Sequence, residues 1–474
     1  MDRQADVFAS IDQHFDDHLE SARRLVRQPS VSLQRTGVRE CADMVLGIVQ
    51  DLGAGRAELA EFEDGYPILY GELTSGNPDA RTLILYCLYD VMPVDDEDWV
   101  TPPFAAEIVE PERVGFPSEW GPCLIGRGAS NQKGPFMCFV NAVRSMREVE
   151  GDIPVNILFV VEGEEEIASP HMGAFRDRYL EELRRADAAY FPNPYQDERG
   201  RAQFHLGTKG FVKFELWVRG GDWGGPARGG LFATDTLWVD SPAWELVKAL
   251  HSLFDEDGRP RVGGFGENVR PLTNEERAHV DRLRAEFDEE ATKERLGIRR
   301  FKGGRPGASY LEGFMTSPVL NIDGYSSGYT GPMIKTMLPD RAVAKMDVRL
   351  VPDMDHEDIE RKIRAHLDAA GFPHVEFHLE GAYNWSKTEP STPIVRAAVD
   401  AIEAHGLEAA IWPTAYYAAP MVFFSGPPLS LPFTDAGIGY MGGYHQANEF
   451  FAVESMRAFE KWVVTFLHRF AEGA

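Results

Sequence analysis

Cysteine is scarce in this chain of 474 residues: only Cys41, Cys87, Cys123 and Cys138 occur, and no two form a C-x-x-C pair. That spacing excludes a disulfide framework and a zinc–sulfur site, so reduced, buried thiols in a cytoplasmic protein are expected. No apolar run approaches the roughly 20 residues that span a bilayer. The stretch MDRQADVFASIDQHFDDHL is acidic and amphipathic, without the basic-then-apolar order of a secretory signal. Basic charge is also short: 48 Lys and Arg stand against 75 Asp and Glu, a formal net charge of −27. Nucleic acid and anionic membrane need a basic footprint and are excluded as partners; solubility is sufficient reason for the charge. Neither H-E-x-x-H nor the phosphate-binding G-x-x-x-x-G-K-[ST] occurs, and no internal repeat is found.

What is present is a strand–helix alternation too long for one core. Residues 9–27 place Ile11, Phe15, Leu19 and Leu25 at helical spacing, and a second helix over 37–52 stops at Gly53. PILYGEL and RTLILYCLYDV read as strands. The second is apolar at nearly every position, as a strand covered on both faces must be. A Gly-rich turn at 126–134 leads into a helix and then into VNILFVVEG, another buried strand. This order predicts a layered α/β domain with catalytic groups at the C-terminal ends of its strands, where Asp90 and Glu165–Glu166 stand.

The pattern changes near residue 207. FVKFELWVRG alternates like a half-exposed antiparallel strand, and a helix follows around 241–254. A polar, charged segment (268–304) precedes PVLNIDG, RAVAKMDVRLVP and the amphipathic helix HEDIERKIRAHLDAA. Strand–helix–strand–strand–helix–strand is the order of a small ferredoxin-like α+β domain. The α/β pattern returns near 390 with STPIVRAAVDAIEAH. The expected division is therefore 1–206 with 386–474 as the α/β domain and 207–385 as the insertion.

Several residues carry chemistry, each with a bland alternative. E-G-E-E-E would ordinarily be a solvated charge run, but here it follows a buried strand. Asp90 could be a strand-end turn residue, His445 a loop histidine, and Arg349 a solvated strand residue paired with a nearby acid. G-Y-S-S-G at 324–328 matches the nucleophile-elbow pattern, yet no helical sequence follows, so Ser326 is read as a chance match. Cys87 has apolar neighbours that favour an inert thiol.

Four stretches, in order, carry a resemblance. They are LYCLYDVMPVDDEDW, GRGASNQKG, EGEEEIASP and GYHQANE. They resemble the metal and catalytic motifs of the two-zinc exopeptidases and deacylases that include carnosinase, glutamate carboxypeptidase, acetylornithine deacetylase and succinyl-diaminopimelate desuccinylase. The resemblance implies a three-layer α/β/α catalytic domain with an inserted lid and dimerisation domain, and hence a homodimer. It maps the general base onto Glu165 and one metal's ligands onto Glu166 and His445. The first-motif aspartate maps onto Asp90, and the substrate-carboxylate grip onto Arg349. Arg228 aligns with a loop residue that polarises the scissile carbonyl. At three positions where the resemblance calls for metal ligands, this chain has Leu88, Asn131 and Asn193.

A leucine offers no lone pair and an amide no charge, so a two-ion centre is not expected. The leading expectation is a metal-independent enzyme with no cofactor, acting on a small carboxylate-bearing amino acid derivative. Glu165, Glu166, Asp90 and His445 would supply the acid–base chemistry of amide hydrolysis, acyl transfer, cyclisation or elimination. Arg349, Arg228, Asn131, Asn193 and Asn321 would bind substrate. Two alternatives stand beside it: a peptidase or deacylase holding one weakly bound zinc ion on Glu166 and His445, and a non-catalytic binding relative.

Overall fold

The computed structural model describes residues 3–94, 98–197 and 199–473. Asp95, Asp96 and Glu97 of the first motif lie outside the described residues. The chain divides into two compact units, 1–207 with 387–415 and 420–474, and 208–386 with 416–419. The short return of 416–419 to the second unit has no signal in the sequence.

The first unit is built on a six-stranded mixed sheet. Its strands run in the order Arg56–Ala60, Ile68–Leu73, Asn156–Glu162, Thr82–Leu88, Ala188–Tyr190 and Phe433–Thr434. The last four are mutually parallel, while Ile68–Leu73 is antiparallel to both its neighbours. Every residue of Thr82–Leu88 is buried. Leu83, Leu85 and Cys87 join the large core formed with helices Arg3–Arg27, Val38–Asp51, Lys133–Glu150, Pro393–Ala404 and Val453–Glu472. On the opposite face, Tyr86 packs against Phe191 and Phe424. Burial on both faces is why this strand shows no alternation. All four cysteines are buried and free. Among the described residues no helix is long and apolar enough to cross a membrane.

The second unit is an antiparallel sheet in the order Val319–Ser327, Arg341–Leu350, Gly210–Arg219 and Glu376–Tyr383. Helices Pro242–Leu253 and His356–Ala369 cover one face, against Val212, Phe214, Leu216 and Val218 and against Ala342, Ala344, Met346 and Val348. The order is ferredoxin-like, with Val319–Ser327 left at an edge.

One local reading changes, and the reading of Ser326 as a chance match does not. The polar stretch 268–304 holds two helices, Asn274–Ala285 and Glu289–Leu296. Thr273 and Glu276 form a reciprocal capping box on the first, and Asp288 caps the second. The T-N-E-E signature was there to read, but weak amphipathicity hid the helices. Ser326 lies inside an antiparallel strand opposite Val343, so no strand–turn–helix elbow presents it.

Candidate active site

The parallel strands of the first unit deliver the expected residues. Asp90 follows Thr82–Leu88, Glu165–Glu166 follow Asn156–Glu162, and Asn193 follows Ala188–Tyr190. Asn131 precedes helix Lys133–Glu150, and His445 lies between strands Met441–Gly442 and Phe450–Ala452. Gly163, between the strand and the glutamates, is required by space, because a Cβ there would stand 2.4 Å from the Tyr89 ring.

Glu166 is the centre of the cluster. Its Oε1 accepts from Asn131 Nδ2 at 2.9 Å, and its Oε2 lies 3.2 Å from His445 Nε2. Asn131 Nδ2 is 3.4 Å from the same imidazole nitrogen. His445 is held with φ +60°, in the left-handed region that non-glycine residues enter at a cost.

Asp90, expected among the proton-transfer groups, is bound into the turn that carries the twin glutamates. It is fully buried and accepts from the backbone N–H of Glu165 at 3.2 Å, that of Glu166 at 3.1 Å, and the Ser32 hydroxyl at 2.8 Å. Its carboxyl fixes the turn that aims the twin glutamates.

Sequence reasoning missed the support beneath Asn131. Glu449 Oε1 accepts from the backbone N–H groups of Ser130 and Asn131 at 3.0 and 2.8 Å, and Arg127 Nη1 donates to Glu449 Oε2 at 3.0 Å. Both charges are buried. These residues sit inside the quoted motifs but read there as flanks, because only tertiary contact joins positions 127 and 449. Asn193 is tied to the His445 loop by Tyr444, whose hydroxyl donates to Asn193 Oδ1 at 3.0 Å. Leu88 is buried at its strand end, level with Glu162 of the neighbouring strand.

The electrostatics of this region are one-sided. Burial and the Glu166 charge push the Asp90 carboxyl up to about 8. Burial pushes Glu162 well up, although Tyr86 and Ser169 donate to it. Burial opposes charge on His445, but the hydrogen bond and charge of Glu166 outweigh it and raise the imidazole. The nearby cations are engaged: Arg127 pairs with Glu449, and Lys133 donates to the Gln28 carbonyl.

The remaining expected residues lie in the second unit. Arg349 pairs through Nε with Asp347 Oδ2 at 2.7 Å. Asn321 is exposed on the edge strand and donates to Asp323 Oδ1 at 2.7 Å. Arg228 is exposed in the loop after Gly210–Arg219. Cys87 is buried with its thiol pushed well up by desolvation, and so is unreactive.

Comparison with known proteins corrects part of this picture. The chain is 28% identical over 383 residues to the human Beta-Ala-His dipeptidase, covering 76% of this chain and 71% of that protein. It is 26% identical over 377 residues to the Schizosaccharomyces pombe Cys-Gly metallodipeptidase dug1, covering 76% and 75%. The solved structure of the M20 family metallo-carboxypeptidase Sso-CP2 from Sulfolobus solfataricus superposes with a TM-score of 0.86 at 29% identity, over 96% of this chain and 99% of that one. Metallopeptidase relatives overturn the expectations of a metal-independent enzyme, a degenerate zinc site and no cofactor. That reading counted ligand charges along the sequence and treated neutral side chains as a loss of metal chemistry. The alternative expectation of one zinc ion on Glu166 and His445, completed by water, fits these relatives better. The residues present fit an ion: a carboxylate and an imidazole 3.2 Å apart, beside an amide. Among the described residues no group of three His, Cys, Asp or Glu side chains could hold one, so water would complete the coordination of an ion on Glu166 and His445. With residues 84–469 matching its profile, the chain belongs to Peptidase family M20/M25/M40, a family of hydrolases rather than of binding modules.

Proposed function

We propose that this protein is a metal-dependent amide hydrolase, a dipeptidase or deacylase, acting on small peptide-like substrates with a free carboxylate. The observation that carries this reading is the convergence of Glu166, His445 and Asn131 beside Glu165. Glu166 and His445 would hold a zinc ion, with Asn131 orienting Glu166. When bound, such an ion supplies Lewis-acid polarisation of the amide carbonyl. Glu165 accepts a proton from the attacking water and returns it to the leaving amine. Asp90 and Ser32 hold the turn that presents Glu165. Arg349 offers the planar donor pair that a carboxylate accepts. The dipeptidase names of the relatives support the substrate class.

The second unit also supports a homodimer. Its edge strand Val319–Ser327 leaves backbone groups unpaired, and Trp238 and Ile334 are 83% and 92% exposed. The free, buried thiols suit a cytoplasmic enzyme.

The test is metal analysis of the purified protein together with hydrolysis of a dipeptide panel. Bound zinc, activity lost to a chelator and activity restored by zinc are expected. Hydrolysis that survives complete chelation would refute the reading.

A further inference from the structure

Glu162 is a buried acid that the proposed mechanism leaves unused. It ends strand Asn156–Glu162, shortly before Glu165, and is fully buried. Both of its donors converge on one oxygen: the Tyr86 hydroxyl donates to Oε1 at 2.6 Å and the Ser169 hydroxyl at 3.0 Å. Oε2 is buried with no hydrogen-bond partner among the described residues. Leu88, its neighbour across the ladder, offers it no donor. A carboxylate here would leave a charged oxygen bare in apolar surroundings, a cost that no neighbour offsets. A carboxylic acid fits instead, with Oε1 as its carbonyl oxygen, and burial pushes the group well up, toward that form. Glu162 therefore acts as a neutral acceptor.

One of the groups it accepts from lies at the strained end of the catalytic turn. Glu165–Ile167 form a short helical turn. It is closed by the Ala168 N–H donating to the Glu165 carbonyl at 3.0 Å and the Ser169 N–H donating to the Glu164 carbonyl at 2.8 Å. In closing it, Ala168 and Ser169 take φ of +81° and +51°. Two successive side-chain-bearing residues in the left-handed region are costly, and they persist where the surroundings over-determine them. Asp90 fixes the turn at its start, through the N–H groups of Glu165 and Glu166. At its end, the buried Ser169 is tied to Glu162.

We propose that Glu162 is a positioning residue for Glu165: by accepting from Ser169 it holds the left-handed exit of the turn, as Asp90 holds its entrance. The inference rests on Glu165 as the base of the proposed hydrolysis. Tyr86 fixes Glu162 in its turn, so the aim of the base is set from inside the sheet. Glu162 orients and does not react. Losing the tie loosens the turn and displaces the base, while substrate affinity is left alone.

The first arm of the test is hydrogen exchange, followed by mass spectrometry, on the full-length metal-free protein without substrate. Glu162→Met and Ser169→Ala should each speed exchange of 163–171 by about tenfold or more, with strand Thr82–Leu88 within about twofold of wild type. Glu162→Gln keeps an oxygen that accepts the same two hydroxyls and should exchange as wild type does. The second arm is dipeptide hydrolysis by the zinc-loaded protein. kcat should fall by about tenfold or more in Glu162→Met and Ser169→Ala, with KM within about twofold and Glu162→Gln close to wild type. The double variant Glu162→Met with Ser169→Ala should be no slower than the slower single one, because both remove the same bond. A thermal melt shows which variants are folded, and Ser169→Ala carries the test if Glu162→Met is not. Unchanged exchange of 163–171, an undiminished kcat, or Glu162→Gln as impaired as Glu162→Met would each overturn the proposal. If Glu165 is not the base, Glu165→Gln keeps its activity while the exchange arm still reads the turn, so the two failures are told apart.

Discussion

The two units handle buried charge in opposite ways. In the first, the buried acids are relieved where they stand: burial and Glu166 push Asp90 up to about 8, two backbone amides and Ser32 donate to it, and Glu449 pairs with Arg127. In the second, the amine of Lys209 is buried with only a carbonyl beside it. A protein that leaves charge of one sign uncompensated in its interior forgoes stability there. The contrast is between acids satisfied by their neighbours in the first unit and an amine left with one long carbonyl contact in the second.

The largest effect is expected at Glu165, on the turn that Asp90 holds. Glu165→Gln removes the base and should lower kcat for dipeptide hydrolysis by about 10²–10⁴-fold, with metal content unchanged. A kcat within a few-fold of wild type would remove Glu165 from the chemistry.

Glu449→Gln tests compensated charge. It leaves the buried Arg127 without a counter-ion and should destabilise the protein by about 3 kcal/mol, read as a lower denaturation midpoint. Lys209→Met should act in the opposite direction, because it removes a cation that has no acidic partner. The folded amine titrates near 8 against the usual 10.5, so below pH 8 the folded state bears the full cost of charging it. That cost is up to about 3 kcal/mol and fades as pH rises from 8 to 10.5, where the unfolded chain still holds its proton. Lys209→Met should therefore be more stable than wild type at pH 7, with the gap closing by pH 10.5. A constant gap across that range would show that Lys209 is not the titrating group. The smallest effect is expected at Ser326→Ala, which should leave activity and melting temperature unchanged, since the residue sits within a strand.

Much of this was legible along the chain. The unbroken apolar run of Thr82–Leu88 announced a doubly covered strand, and the alternation of Gly210–Arg219 a half-open sheet. The four motifs marked Glu165, Glu166, Asn131 and His445 as neighbours, although 445 − 131 = 314 positions separate the last two. What could not be read was how the side chains spend their hydrogen bonds. Asp90 was placed with the proton-transfer groups because, with leucine at position 88, the motif leaves it no imidazole to orient. Only the fold shows its oxygens committed to two backbone amides and a serine. Glu449 and Lys209 went unnoticed because an acid or a lysine in sequence carries no mark of burial. The helices within 268–304 were missed because capping, rather than an apolar stripe, defines their starts.

The sequence by itself determined the layered α/β architecture, the ferredoxin-like insertion and the residue types at the catalytic turn, because hydrophobic period and local motif are properties of neighbours in the chain. Tertiary structure alone decided which carboxylates are committed to backbone amides, that Glu166, Asn131 and His445 converge, and that Lys209 is buried without an acid. Those outcomes depend on desolvation and on contacts between segments hundreds of residues apart, which no local pattern encodes.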